Sequence, residues 1–196
     1  MTYSEIKAAI LLWTKDVELE PAIQTFIQLV EAKVNKRMRL MEMVCRAELK
    51  NPANDQMRYA LPADYLGTRS IIADGNSIEY ITPERMFQTF ILPGTWVYTI
   101  VDGHYVFKGP TTIDSEIEIY YYQQITPLTE QNATNWLSTA APDIYIYGAL
   151  AEAAHFQFDE PRAAIWEGKF ETEIELFKGQ SDQGRWSGSA MAIRAM

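Results

Sequence analysis

Trp96-Val97-Tyr98-Thr99-Ile100-Val101-Asp102-Gly103-His104-Tyr105-Val106-Phe107-Lys108 decides the fold. Two runs rich in β-branched and aromatic residues flank Asp102-Gly103, the residue pair that most readily supplies the positive φ angles of a two-residue hairpin turn. The centre of the chain is therefore antiparallel strand. Upstream, Thr68 to Ala73 and Ser77 to Ile81 flank a second turn of this kind, Asp74-Gly75. Val44 to Leu49 and Met57 to Leu61 read as further short strands, and Leu61-Pro62-Ala63-Asp64-Tyr65 breaks the chain. Between Ile81 and Trp96, Thr82-Pro83-Glu84 has the form of a short helix start, Thr as cap and Pro in the first turn. Downstream, Glu116 to Gln123 adds a strand dense in Ile and Tyr. One mostly antiparallel sheet is expected over about residues 43–124.

Outside these limits the hydrophobic period changes from two to that of a helix. Thr2-Tyr3-Ser4-Glu5 is a capping box, and Ile6, Ala9, Ile10 and Trp13 follow at helical spacing, so the first helix is expected over 3–15. Ile23, Phe26, Ile27, Val30, Val34 and Met38 form an apolar stripe, which predicts a helix over 21–39 with Pro21 in its first turn. Ile125 to Thr139 reads as a loop. Pro142-Asp143 opens a helix over 142–158 with its stripe at Ile144, Tyr147, Gly148, Ala151, Ala154 and Phe158. Asp159-Glu160-Pro161 starts another over 160–178, with Trp166, Phe170, Ile174 and Phe177 on one face and Gly179 as its stop. Helices before and after a run of strands predict an α+β domain over 1–178, the helices packed together on one side of the sheet. Residues 179–196, mostly Gly, Ser and Ala, form a flexible C-terminal tail that must dock on a partner to be ordered.

Composition narrows the function. Hydrophobic residues make up 47% and charged residues 22% of the 196, so the chain folds as a globular protein. No apolar run is long enough to span a bilayer and no secretory signal is recognisable, which places the chain in a cytosol with no membrane partner. The net charge of −9 argues against gripping nucleic acid, which needs cations for its phosphates. It suits solubility, or a surface that DNA slides past. The single cysteine, Cys45, follows Met43-Val44 and reads as a small buried hydrophobe.

The residues offer no catalytic constellation, no metal set and no cofactor motif. Of the two histidines, His104 flanks a hairpin turn and His155 sits in a helix between Ala154 and Phe156 as a packing residue. No Cys/His spacing fits zinc, and no Gly-rich phosphate loop or nucleophile elbow is present. Two features ask for an explanation. Tyr120-Tyr121-Tyr122 alternates rings between both faces of a strand, so Tyr121 or its neighbours become interface candidates. Glu167, Glu171 and Glu175 stack like charges on one helix face. A solvated face explains them simply. Arg185, Trp186 and Arg194 are the candidate anchors of the tail, being residue types that dominate binding energy.

The order of signals resembles the head-to-tail adaptor family of short-tailed phages and their relatives. The matching stretches are Phe26-Ile27 to Val30-Glu31 with Asn35-Lys36-Arg37 and Arg39, Leu61-Pro62-Ala63-Asp64-Tyr65-Leu66, Asp74-Gly75, Ile81-Thr82-Pro83-Glu84 and Ile119 to Tyr122. The most specific are Pro127-Leu128, Asn135-Trp136-Leu137, Ala141-Pro142-Asp143-Ile144-Tyr145 and Tyr147-Gly148-Ala149-Leu150-Ala151-Glu152-Ala153. The resemblance covers residues 1–178. It implies a structural virion protein: a homo-oligomeric ring, usually dodecameric, assembled in the host cytoplasm. Such a ring docks under the portal protein and extends the DNA channel for genome retention and ejection. It also offers a platform to tail nozzle or tail-fibre proteins. In that setting the DNA-channel lining would be Glu167, Glu171 and Glu175, and no cofactor is implied. Another ring-forming virion part (a head-completion or tail-terminator protein) remains open on the residues alone. So does a small cytosolic enzyme with acids converging on His155.

Overall fold

The computed structural model describes residues 1–50, 58–88, 95–109 and 116–186, with the side chains of 50, 87, 88 and 182–186 left out of the description. The fold is α+β. It divides into two compact units, one from residues 1–42 and 125–196, the other from 43–124. The strand unit is thus an insertion in the helical one, at the limits where the hydrophobic period changes.

In the helical unit, α1 (Tyr3–Thr14) opens with the predicted capping box: Thr2 accepts from the Glu5 N–H and Glu5 accepts from the Thr2 N–H. A 3-10 turn over Val17–Ala22, capped by Asp16, occupies what the sequence suggests is linker and first helical turn. The helix proper, α2 (Ile23–Arg37), therefore starts two residues after Pro21. Every member of its predicted stripe is buried, from Ile23 to Met38. The stretch expected as loop before Pro142 contains α4 (Trp136–Ala140), held by an Asn135–Ser138 capping box. Next come α5 (Pro142–Phe156) and α6 (Glu160–Trp186). Gly148 lets α5 close on its neighbours: a Cβ there would lie 2.6 Å from Val30 Cγ2 and 3.0 Å from Phe170 Cε2. On α6, Phe170 and Ile174 are buried as expected. The helix does not stop at Gly179 but runs to Trp186, because Gly179 stays helical and exposed and is not bent into the left-handed form of a cap.

The strand unit holds two sheets where one was expected. The first has the order β1-β8-β3-β4, from β1 (Val44–Lys50), β8 (Glu116–Gln123), β3 (Tyr65–Ala73) and β4 (Asn76–Ser77). The second has the order β2-β7-β6-β5, from β2 (Arg58–Ala60), β7 (His104–Lys108), β6 (Val97–Val101) and β5 (Glu79–Tyr80). The run Ser77 to Ile81 is two strands, because Ile78 is buried between them and the chain switches sheets there. It leaves β4 antiparallel to β3 and enters β5 parallel to β6. Both Asp-Gly turns form as predicted, with φ of 49° and 78° at Asp74-Gly75 and 50° and 67° at Asp102-Gly103. α3 (Pro83–Gln88) follows β5, its Met86 N–H donating to the Thr82 carbonyl. The two sheets share a core of Ile71, Tyr98, Tyr105, Phe107, Ile117, Ile119 and Tyr121, with Cys45 half-buried against it.

Candidate functional site

Three places among the described residues gather buried polar or exposed aromatic side chains. The first is a buried polar clamp. α2 turns Gln24, Glu31 and Asn35 toward the segment 124–135 that returns from the strand unit. Glu31, 5% exposed, accepts the Leu128 N–H at 2.8 Å and the Tyr145 hydroxyl at 3.0 Å on the same oxygen, Oε1. Asn35 Oδ1 accepts the Ile125 N–H and the Gln24 amide donates to the Leu128 carbonyl. Asn135 donates from Nδ2 to the Tyr145 oxygen at 2.7 Å and to the Thr126 carbonyl. Burial pushes the Glu31 carboxyl up, partly offset by the two donors. Burial, with the Glu31 charge beside it, pushes the Tyr145 phenol far up as well. These residues satisfy one another's polar groups, so the clamp is structural.

The second place is an aromatic surface on α1, α5 and α6. Trp13, 42% exposed, packs on Trp166 at 5.5 Å and Tyr147 at 6.2 Å, and Tyr147 stacks on Trp166 at 5.9 Å. The Lys169 ammonium lies 4.5 Å from the Trp166 ring and 5.5 Å from that of Tyr147. Leu12 and Ile165, 73% and 60% exposed, widen the surface. Beside it an open cleft of about 430 Å3 is lined by Tyr147, Ile165, Gly168, Lys169, Thr172 and Glu173. Gly168 is mid-helix with nothing within 4 Å of where a Cβ would stand. Glycine there costs about 1 kcal/mol relative to alanine.

The third is the turn between α5 and α6. Phe158, expected on the α5 stripe, lies past the end of the helix with φ +58° and 91% exposure. The Phe158 N–H donates to the His155 carbonyl and the Asp159 N–H to that of Ala154, the paired bonds of a Schellman cap. Glycine is the usual residue at that position, and a bulky side chain there is a genuine outlier. His155 bridges the same turn, with Nε2 3.1 Å from Glu167 Oε1 and Nδ1 3.5 Å from Glu160 Oε2. The Glu167 hydrogen bond, and then the nearby Glu160 charge, raise its pKa. His155 is thus an ion-pairing residue of the surface and not a packing residue, and it gathers two acids.

The sequence-derived candidates fall elsewhere. Tyr121 is 6% exposed and its hydroxyl donates to Asp64, so it belongs to the core of the strand unit and presents no ring to a partner. Each member of the acidic stripe has a basic side chain beside it in the same chain. Glu167 meets His155, Glu171 meets Arg37, and Glu175 meets Lys178 at 2.8 Å. The cost that made the stripe suggestive is therefore offset locally. Arg39, read together with Arg37, donates to the Asn35 and Met38 carbonyls at the end of α2. Arg185 and Trp186 form the end of α6, without described side chains, and Arg194 lies outside the described residues. Among the described residues no group of three or more His, Cys, Asp or Glu could hold a metal, and no helix is long and apolar enough to cross a membrane.

Exposed aromatic and aliphatic surface of this kind is what protein interfaces prefer. The family profile of the SU10 adaptor protein matches residues 1–194, and the chain belongs to that phage head-to-tail adaptor family. It is a phage adaptor protein and a component of the virion. No curated protein matches it.

Proposed function

We propose that the chain is the head-to-tail adaptor ring subunit of its phage. It joins the portal protein to the tail, extends the DNA channel and serves genome retention and ejection. The observation that carries this reading is the family match over 1–194, nearly the whole chain. The surface fits it: a subunit that must meet a neighbour on each side, a portal above and a tail protein below has reason to expose Leu12, Trp13, Phe158 and Ile165 to water. The net charge of −9 suits a conduit, since a basic lining would hold phosphates. Channel lining by Glu167, Glu171 and Glu175, and docking of the C-terminal tail, residues 179–196, on a partner with Arg185, Trp186 and Arg194 as anchors, are parts of the same proposal.

The test is to mix the purified chain with the portal protein of its phage and examine the product by electron microscopy and native mass spectrometry. A closed ring of this chain seated on the portal, coaxial with its channel, is the expected result. A chain that neither multimerises nor binds portal under any condition overturns the reading.

A further inference from the structure

Phe158 and Gly168 are each the wrong residue for the local backbone, and in complementary senses. At Phe158 the left-handed cap position holds a large apolar ring, 91% exposed, where glycine would relieve the backbone and remove the exposed ring. At Gly168 the middle of a long helix lacks any side chain, although space for one is open. One residue projects a phenyl group and the other clears the floor of a cleft walled by Tyr147, Ile165 and Lys169. The cleft carries one charge of each sign, Lys169 and Glu173. Asp159 follows the projecting ring directly, Glu160 being held by His155, and the Lys169 ammonium rests on the Trp166 and Tyr147 rings with no ion pair to a carboxylate among the described residues.

We propose that Phe158 of one copy seats in the Gly168 cleft of a second copy, with Asp159 placed against Lys169. Ring and cleft are different surfaces of the same helical unit, so the contact is head-to-tail. Each copy offers a ring to one neighbour and a cleft to the other, and rotation closes the series. This rests on the ring reading above and gives that ring its side-to-side contact.

The full-length chain supplies the test, because both informative substitutions favour the fold. Phe158→Gly suits the cap, and Gly168→Gln adds a good helix former that fills the cleft. Each variant should melt at least as high as the wild type, by up to several degrees more. Each should also lose self-association at least tenfold in sedimentation velocity and native mass spectrometry, under conditions where the wild type forms rings, free or on portal. Mixed one to one, the two variants retain one good ring and one good cleft between them and should form dimers that stop at two. If either variant assembles as the wild type does, the contact lies elsewhere and the ring reading stands. If the wild type forms no multimer, free or with portal, the ring reading fails and this contact with it.

Discussion

Glu31 shows how much of this fold depends on a single acceptor. Its Oε1 serves both the Leu128 N–H and the Tyr145 hydroxyl in the interior of the helical unit. A buried donor left without a partner costs about 1–3 kcal/mol. Glu31→Ala strands two, so we expect a loss of roughly 2–4 kcal/mol in denaturant unfolding. Glu31→Gln keeps the accepting oxygen and removes the charge that burial disfavours, and should lose less than about 1.5 kcal/mol. Equal losses for the two would show that the side chain fills space and does not hold the returning segment. Sequence reading passes over this residue because a helix stripe is read from its apolar members. Gln24, Glu31 and Asn35 recur along α2 at a spacing that keeps them beside that stripe, and only the position of residues 124–135, far along the chain, gives them a purpose. Phe158 was equally illegible: nothing in Phe156-Gln157-Phe158-Asp159 announces a left-handed residue.

At the scale of elements, what was legible is what is decided locally. The capping box at Thr2–Glu5, the Asp-Gly turns and the stripes of α2 and α6 all form where the residues put them, since each needs only neighbours within a few positions. The misses have different causes. α4 hides behind a capping box closed by Ser138 in place of the usual Glu or Gln. The Ser77–Ile81 run divides because Ile78 is buried where two sheets meet. Gly179 fails to end α6 because a glycine stops a helix only where the chain must turn. The α5–α6 pair carries its own prediction. The folded pKa of His155 is raised by Glu167 and Glu160 above the ordinary value near 6.5. A raised folded pKa stabilises fully below that ordinary value, and the gain disappears as pH climbs through the folded value. Thermal stability should therefore decline slightly from about pH 6 to pH 8, by a few tenths of a kcal/mol for so exposed a pair. The decline should vanish in His155→Gln. An unchanged slope in that variant would assign the pH dependence to other groups.

At the scale of the whole molecule, the strand unit enters and leaves the helical unit at one place. β1 and β8 pair antiparallel from Val44↔Tyr122 onward, so the chain crosses into and out of the insertion side by side. Opposed residues of such a pair have Cα atoms about 4.5–5.5 Å apart. Joining residue 42 to residue 125 through a few Gly and Ser residues therefore asks little of the backbone. The helical unit would keep the core that runs through Ile10, Ile27, Val30, Leu150, Phe170 and Ile174, together with the clamp of Glu31, Tyr145 and Asn135. We expect the spliced chain to be helical by circular dichroism and to unfold in one cooperative transition. It would be less stable than the parent, because a smaller unit buries a smaller share of its surface. It would also carry both Phe158 and the Gly168 cleft, so it should self-associate as the full chain does, while the isolated 43–124 segment should not. A spliced chain that folds but stays monomeric, where the full chain forms rings, would move the subunit contact to the strand unit. A spliced chain with helical circular dichroism but no cooperative transition would show instead that the helical unit needs the insertion to reach a single packed state.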